Sequence, residues 1–412
     1  MPPLPVRLDW LDLQIEPIIE PELEIIDPHH HFYLKPNLSY LLDDLAADLA
    51  SGHKILATVY LECRSKYRTE GDPDLACLGE TEFVVGLARE AERRGIPSRI
   101  AAGIIGRVDM MLGARVERVL EAQIAAGEGR FRGIRYSTVW HADPDAQGSP
   151  IHSDPGVMTT KVFREAFARL APLGLSYEAW LYHTQIGELI DLARAFPETP
   201  IVLDHIGGVL AIGPYAGKRD EVFAGWKKDI AALAGCPNVS VKLGGGGMRM
   251  FGFGWHDGQK PPTSEEIAKE WRPYVETCIE AFGTQRAMYE SNFPVDKCSY
   301  SYPVIWNAFK RIAAGSSAGE KADLFPRNGA ADLPALKGPF GYEACFRPDR
   351  RGGENARCAI IRAADEAAPD TPLKLLAPHR SSLRALRSPR LSDRSAAVAP
   401  ALPGARRCTC RL

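Results

Sequence analysis

Glu24-Ile25-Ile26-Asp27-Pro28-His29-His30-His31-Phe32 is the stretch that decides how this chain reads. An apolar pair leads into an aspartate and then three consecutive histidines. On a strand, residues two apart share a face, so Asp27, His29 and His31 are expected on one side and His30 on the other. If this run is the first strand of a barrel, His29 and His31 aim into its mouth, where barrel enzymes carry their chemistry. Two imidazoles at that spacing can clamp one cation. A histidine cluster on an exposed strand end is the plainer alternative, and the rest of the chain argues against it.

Downstream, strand-like runs alternate with helical stretches. Strands are expected at 54–63, 99–108, 131–137, 175–183, 200–205, 239–243 and 287–293. Helices fall between and after them, at 81–94, 114–126, 161–171, 185–196, 223–234, 264–282 and 302–314, with an amphipathic helix near Tyr40–Leu45. Ser264 is the expected cap of the helix it opens. Loops at 141–157 and 244–262 are long enough to be lids. Eight strand–helix repeats predict an α/β protein with a (β/α)₈ TIM-barrel fold. A doubly wound sheet is disfavoured because no Gly-rich phosphate turn follows the first strand.

The domain reading is an N-terminal arm (1–23), a barrel (24–325) and an atypical C-terminal tail (326–412). After Phe346 there is no Phe, Trp or Tyr, and Lys374 is the only lysine after Lys337. Arg, Ala, Pro and Ser dominate there, a mixture that cannot bury enough apolar surface to offset its ordering entropy. Disorder is therefore expected. The same composition is what an out-of-frame reading of GC-rich DNA would give, and resequencing the gene near codon 325 tests that.

The whole chain has a net charge of −2 and a pI near 6.6, which favours neither nucleic acid nor an anionic membrane as partner. No apolar run approaches the roughly 20 residues that span a bilayer. The N-terminus lacks the pattern of a signal peptide. Nine cysteines without a CxxC pair read as reduced thiols, and the expected location is the cytoplasm. The expected partner is a small, anionic substrate, with a homo-oligomer left open.

His183 and His205 close the fifth and sixth expected strands, at the end where barrel catalytic groups project. With His29, His31 and a carboxylate from the eighth strand they could hold one divalent ion and a water. Arg135 could grip a substrate carboxylate, or simply pair across the barrel mouth. Lys242 could polarise a carbonyl oxygen, or pair with Glu62 or Glu290. Glu62 is a candidate acid or base that could equally be structural. Trp180 and Tyr182 are expected to pack under the helices. Gly244-Gly245-Gly246-Gly247 offers a lid hinge or an anion nest.

Asp27-Pro28-His29-His30-His31 followed by Asp204-His205-Ile206-Gly207 resembles the amidohydrolase superfamily, in its amidohydrolase 2 branch. The similarity runs from about Glu24 to Leu324 and takes in Phe131-Arg132-Gly133-Ile134-Arg135, Trp180–Gln185 and Glu290–Asp296. It implies a TIM-barrel hydrolase, most closely a lactonase opening a cyclic ester of a small carboxylic or sugar acid. A non-oxidative decarboxylase and a decayed binding barrel are the alternatives. By resemblance His29, His31 and His205 would hold one zinc or manganese ion, with metal-free catalysis left open. His183, Asn292, Arg135, Lys242 and Glu62 would carry catalysis. One departure stands out: the superfamily has an aspartate as ligand and base where this chain has Asn292, an amide that cannot take a proton from water at neutral pH.

Overall fold

The structure is a computed structural model that describes residues 4–35 and 38–330. Eight parallel strands follow one another around one sheet in chain order. They are β1 (Glu24–His30), β2 (Lys54–Leu61), β3 (Arg99–Gly106), β4 (Phe131–Arg135), β5 (Ser176–Ala179), β6 (Ile201–Leu203), β7 (Val239–Leu243) and β8 (Ala287–Tyr289). The helices that return the chain are α1 (Leu42–Leu49), α2 (Leu78–Arg93), α3 (Glu117–Ala126), α4 (Lys161–Phe167), α5 (Ile186–Ala195), α6 (Arg219–Ala234), α7 (Ser264–Phe282) and α8 (Tyr302–Ile312). Parallel pairing requires such a crossover after each strand. The ring closes where the chain beyond β8 runs beside β1. His31 N donates to Phe293 O at 2.8 Å, and Asn292 N donates to His29 O at 3.1 Å. This is the (β/α)₈ barrel expected from the repeats.

Barrel strands are covered on both faces, so β2 reads as a nearly continuous apolar run from Ile55 to Leu61 and is buried along most of it. Element ends differ from the reading above where the backbone leaves the ladder early. β5 stops at Ala179, and His183 opens a separate 3₁₀ turn. β6 stops at Leu203, and the following turn holds His205 and Ile206 in the left-handed region, each at φ +52°. The cap of α7 is Thr263 rather than Ser264. The Thr263 side chain accepts from Glu266 N while the Glu266 carboxylate accepts from Thr263 N, satisfying two end donors reciprocally.

The segment before β1 lies along α7 and α8. Trp10 and Leu11 are buried. Ile19 N donates to Asn307 Oδ1 at 2.8 Å, and buried Lys310 donates to the carbonyls of Ile19 and Glu20 at 2.8 Å each. At the other end of the domain Leu324 and Phe325 are fully buried, and Asn328 donates to Thr284 O (2.6 Å) and Ala287 O (2.8 Å). Chain up to Ala330 therefore packs under the barrel, past the boundary expected at 325. The rest of the tail reading falls on 331–412, outside the described residues. Among the described residues no helix is long and apolar enough to cross a membrane.

Candidate active site

β1 does not keep the simple alternation expected of it. Asp27 pairs with Thr58 and His30 with Tyr60, so a bulge at Pro28–His29 puts one extra residue on β1. The bulge turns Asp27 away from the histidines. Its carboxylate accepts from Ser291 N (3.0 Å), Ser291 Oγ (2.6 Å) and Tyr302 Oη (3.0 Å), and so stitches the seam between the first and last strands. His30 faces the other way, with Nε2 2.9 Å from Thr58 Oγ1 and its ring edge-on to Phe32 and Tyr60.

His29 and His31 do converge, with their Nε2 atoms 3.3 Å apart. Each ring has its other nitrogen committed. His31 Nδ1 lies 2.9 Å from Leu61 O, which can only accept, so that nitrogen carries the proton. His29 Nδ1 is 2.6 Å from Glu290 Oε2 and 3.5 Å from Lys242 Nζ, an ion-pair contact that leaves the carboxylate oxygen without a hydrogen bond. His31 Nε2 is therefore bare, and it faces His29 Nε2, which also lies 3.3 Å from Arg135 Nη1. Ligand nitrogens on one tetrahedral zinc ion stand about 3.3–3.4 Å apart, given Zn–N bonds of about 2.0–2.1 Å. Burial, reinforced by Lys242 for His29 and by Arg135 for His31, holds both imidazoles neutral well below their ordinary range.

His205 joins them through the same carboxylate: Glu290 Oε1 accepts from its Nδ1 at 2.6 Å. Glu290 therefore fixes the proton of His205 on Nδ1, the kind of contact that sets the tautomer behind a metal-binding imidazole, and sets its other oxygen beside His29. Gly244 and Gly245 make this possible. A Cβ on Gly244 would lie 2.3 Å from Glu290 Cγ, and one on Gly245, at φ +81°, 2.7 Å from His205 Cγ. The four-glycine run is buried and lets the chain approach the site closely; it is neither a free hinge nor an open anion nest.

Asp204 lies among these groups, and His29, Asp204 and His205 each bring a donor atom within 4.8 Å of the others. Asp204 Oδ1 is 3.6 Å from Lys242 Nζ, and Oδ2 is 3.4 Å from Arg135 Nη1. Burial alone would raise its pKa, but Lys242, His205 and Arg135 outweigh it and hold the carboxyl well below the usual range. Lys242 is fully buried and ion-paired with Glu178. Burial pushes its ammonium down, yet Glu178, Asp204 and Glu290 raise it above its ordinary value. Arg135 donates from Nε to Glu62 Oε1 (3.0 Å) and from Nη2 to Glu62 O (2.5 Å), with Nη1 3.3 Å from His29 Nε2. Its guanidinium is thus held by the protein, the barrel-mouth pairing that was the alternative to substrate binding.

Four carboxylates (Glu62, Glu178, Asp204 and Glu290) face two cations (Arg135 and Lys242) in this buried cluster. Glu178 hydrogen-bonds Asp204, which puts a proton on that pair, so the cluster keeps one negative charge beyond its two cations, and uncompensated charge in a dry interior is costly. Imidazole nitrogens at ligand spacing over a negative floor, with Asp204 among them, form a donor set that fits one divalent cation.

Two expected residues stand apart. His183 is not in the cluster: its Nδ1 accepts from Leu210 N at 3.2 Å, its ring packs edge-on against Tyr215, and burial lowers its pKa to about 4. Asn292 is at the floor, but its Nδ2 donates to Asp296 Oδ1 at 2.8 Å. Its Oδ1 is buried without a hydrogen-bond partner. Asp296 in turn accepts from Gly247 N (2.9 Å) and Tyr300 Oη (2.5 Å), and burial raises its pKa to about 6.

Sequence reasoning missed Glu178, Asp204 and Trp180. Glu178 and Trp180 share a parity, and a charged residue inside an otherwise apolar barrel strand marks its inward face. Counting from Glu178 would have put Trp180 inward, where its ring stands edge-on to His205 at 5.0 Å. A cavity of ≈ 390 Å³ opens above the floor. His31, Glu62, Arg135, Trp180, His205 and Asn292 line it, and both expected lids contribute, through Gly148–Ile151 and through Met248 and Arg249.

The Amidohydro_2 amidohydrolase model matches residues 26–333. An uncharacterised protein of Sinorhizobium fredii, y4mH, is 36% identical over 332 residues, covering 75% of this chain and 98% of that protein. An L-fucono-1,5-lactonase of Burkholderia ambifaria is 26% identical over 196 residues, covering 48% of this chain and 56% of that enzyme. A crystal structure of an amidohydrolase from Burkholderia multivorans with bound zinc has the same fold, at a TM-score of 0.57 and 22% identity, over 75% of this chain and 99% of that one. With the family match running from β1 to beyond the last described residue, the chain belongs to the Amidohydro_2 family of amidohydrolases.

Proposed function

We propose that this protein is a lactone hydrolase that works with one divalent metal ion held by His29, His31 and His205. The observation that carries the reading is the pair of Nε2 atoms 3.3 Å apart under a cavity of ≈ 390 Å³. Similarity to an L-fucono-1,5-lactonase supports lactones as the substrate class. Zinc bound in an amidohydrolase of the same fold supports zinc as the first metal to try.

The chain's own groups account for the remaining requirements. Glu290 keeps the proton of His205 on Nδ1, leaving its Nε2 as donor to an ion, and its second oxygen beside His29 Nδ1 favours the same tautomer there once the ion is bound. When bound, a divalent ion polarises the carbonyl and lowers the pKa of a water. Glu62 lines the cavity, and its Oε2 is buried without a hydrogen-bond partner while Oε1 is held by Arg135. That oxygen can take the proton from the attacking water and return it to the ring oxygen as the C–O bond breaks, giving a hydroxy acid. Arg135 presents positive charge to the oxyanion at the cavity floor. The Trp180 ring supplies an apolar wall.

The test is made on protein purified without chelators. Elemental analysis should find about one zinc or manganese per chain. Acid release should follow addition of γ- or δ-lactones. Glu62→Gln should keep the metal and lose about 10²- to 10⁴-fold in kcat. Absence of acid release from any lactone, or carbon dioxide release from an aromatic acid instead, would overturn the reading.

A further inference from the structure

The turn after β2 contains strained backbone that the site described above does not use. Arg64 has φ +60° and Lys66 φ +55°. Left-handed backbone costs a non-glycine residue on the order of 1 kcal/mol or more. A buried carboxylate from α2 holds the turn in place. Glu80 Oε1 accepts from Cys63 N (2.9 Å), Ser65 N (2.8 Å) and the Tyr60 hydroxyl (2.9 Å). Ser65 Oγ donates to Phe32 O at 2.8 Å, and Cys63 Sγ donates to the same oxygen at 3.2 Å. The two N–H groups flanking Arg64 thus go to Glu80, and two side chains tie the turn to the residue after His31.

None of this network involves the Arg64 side chain. It is exposed and lines the cavity with His31, Arg135 and Asn292. Among the described residues its guanidinium has no hydrogen bond or ion pair. Glycine would fill this backbone position without strain, and most side chains would serve a structural turn equally well. Backbone strain of this kind persists where function needs it. The cavity floor is negative, so a substrate anion needs a cation above it. Arg135 is committed to Glu62 and Asp204.

We propose that Arg64 is the specificity residue of the cavity, gripping a free carboxylate on the lactone, and that Glu80 is the positioning residue holding its backbone in the left-handed turn. The substrate class is then a lactone whose ring carries a carboxylate, opening to a hydroxy-dicarboxylate. This inference rests on the lactone-hydrolase reading.

The test uses two lactones that differ in one group, the γ-lactone of 2-hydroxyglutaric acid and γ-butyrolactone. The readout is the ratio of their kcat/KM values. Arg64→Met should lower that ratio roughly 10- to 100-fold, mostly through KM, the range expected for one charged hydrogen-bonding pair. Arg64→Gly should lower it equally while raising Tm, because the strain is relieved; a merely structural arginine would not separate the two. Glu80→Gln keeps an accepting oxygen and should hold the ratio, while Glu80→Leu should lower it through KM. An unchanged ratio in Arg64→Met, or an equal loss on both lactones, overturns the proposal. If the wild type opens neither lactone, calorimetric binding of 2-hydroxyglutarate decides the matter. Binding abolished by Arg64→Met upholds the arginine's role although the lactonase reading fails, and absent or unaltered binding overturns both.

Discussion

Glu290→Gln isolates the idea that one carboxylate sets the tautomers of two histidines. In the wild type, Oε1 is 2.6 Å from His205 Nδ1 and Oε2 is 2.6 Å from His29 Nδ1. A glutamine has one accepting oxygen. Its NH₂ must face the other ring, where two donors would meet head-on. That ring can escape only by turning or by moving its proton to Nε2, and either response withdraws a lone pair from the cavity floor. Loss of such an outer-sphere partner costs roughly 10- to 100-fold in metal affinity or activity. This corresponds to about 1.4–2.7 kcal/mol, at 1.36 kcal/mol per tenfold.

Global stability should respond differently. One charge-assisted hydrogen bond, worth about 1.5–3 kcal/mol, is lost. At the same time the surplus negative charge of the buried cluster disappears, which offsets part of that loss. The signature is therefore a drop in zinc affinity larger than the drop in unfolding free energy. Competition with a chromophoric chelator gives the zinc Kd, and urea unfolding at matched pH gives the stability. A zinc Kd and kcat/KM within about twofold of wild type would refute the reasoning, because Glu290 would then not be the group that fixes the ring protons.

Three further outcomes follow from the geometry. Asn292→Asp places a carboxylate 2.8 Å from Asp296 Oδ1, so the pair must share a proton, and stability at pH 7 should fall by about 1–3 kcal/mol with no gain in turnover. The double variant Asn292→Asp/Asp296→Asn restores one donor and one acceptor and should recover most of that loss in urea titrations. Lys242→Met leaves Glu178 and Asp204 buried without their ammonium and should destabilise by about 3–5 kcal/mol; a loss below about 1 kcal/mol would contradict the charge assignment. His183 titrates near 4 in the folded chain against 6.5 when unfolded, so the unfolded state binds more protons between those values and the wild type loses stability as pH falls through that window. His183→Asn keeps an acceptor for Leu210 N and escapes that penalty. Its stability relative to wild type should rise as pH drops from 6.5 toward 4, by up to about 1.4 kcal/mol per pH unit, with kcat retained. A loss of kcat at pH 7 would restore His183 to the catalytic set.

The barrel was legible because its signal repeats: eight apolar runs, each followed by a helix, need no precise boundary to be counted. The site was legible only where local alternation survived. His29 and His31 lie two apart at the end of a strand, and their convergence follows from the pleat. Asp27 lies on the same count and still turns away, because the bulge at Pro28–His29 shifts the register against β2. His183 misled for a related reason. The strand was carried past Ala179, where the ladder ends, so a parity was assigned to a residue in a 3₁₀ turn. Glu178 and Asp204 were hidden differently: a carboxylate on a short strand, or in the turn just after one, gives no hint of its partner until the barrel brings Lys242 from β7 and Arg135 from β4 beside it. Asn292 shows most clearly what spacing cannot supply. Read alone, it is an aspartate's place filled by a residue unable to act as a base. In the folded chain it is an amide tied to Asp296, with its oxygen buried without a hydrogen-bond partner, and Glu62 is the carboxylate among the residues that line the cavity. On the proposed mechanism the basic group is therefore Glu62, and Glu62→Gln rather than Asn292→Asp is the change that should remove turnover.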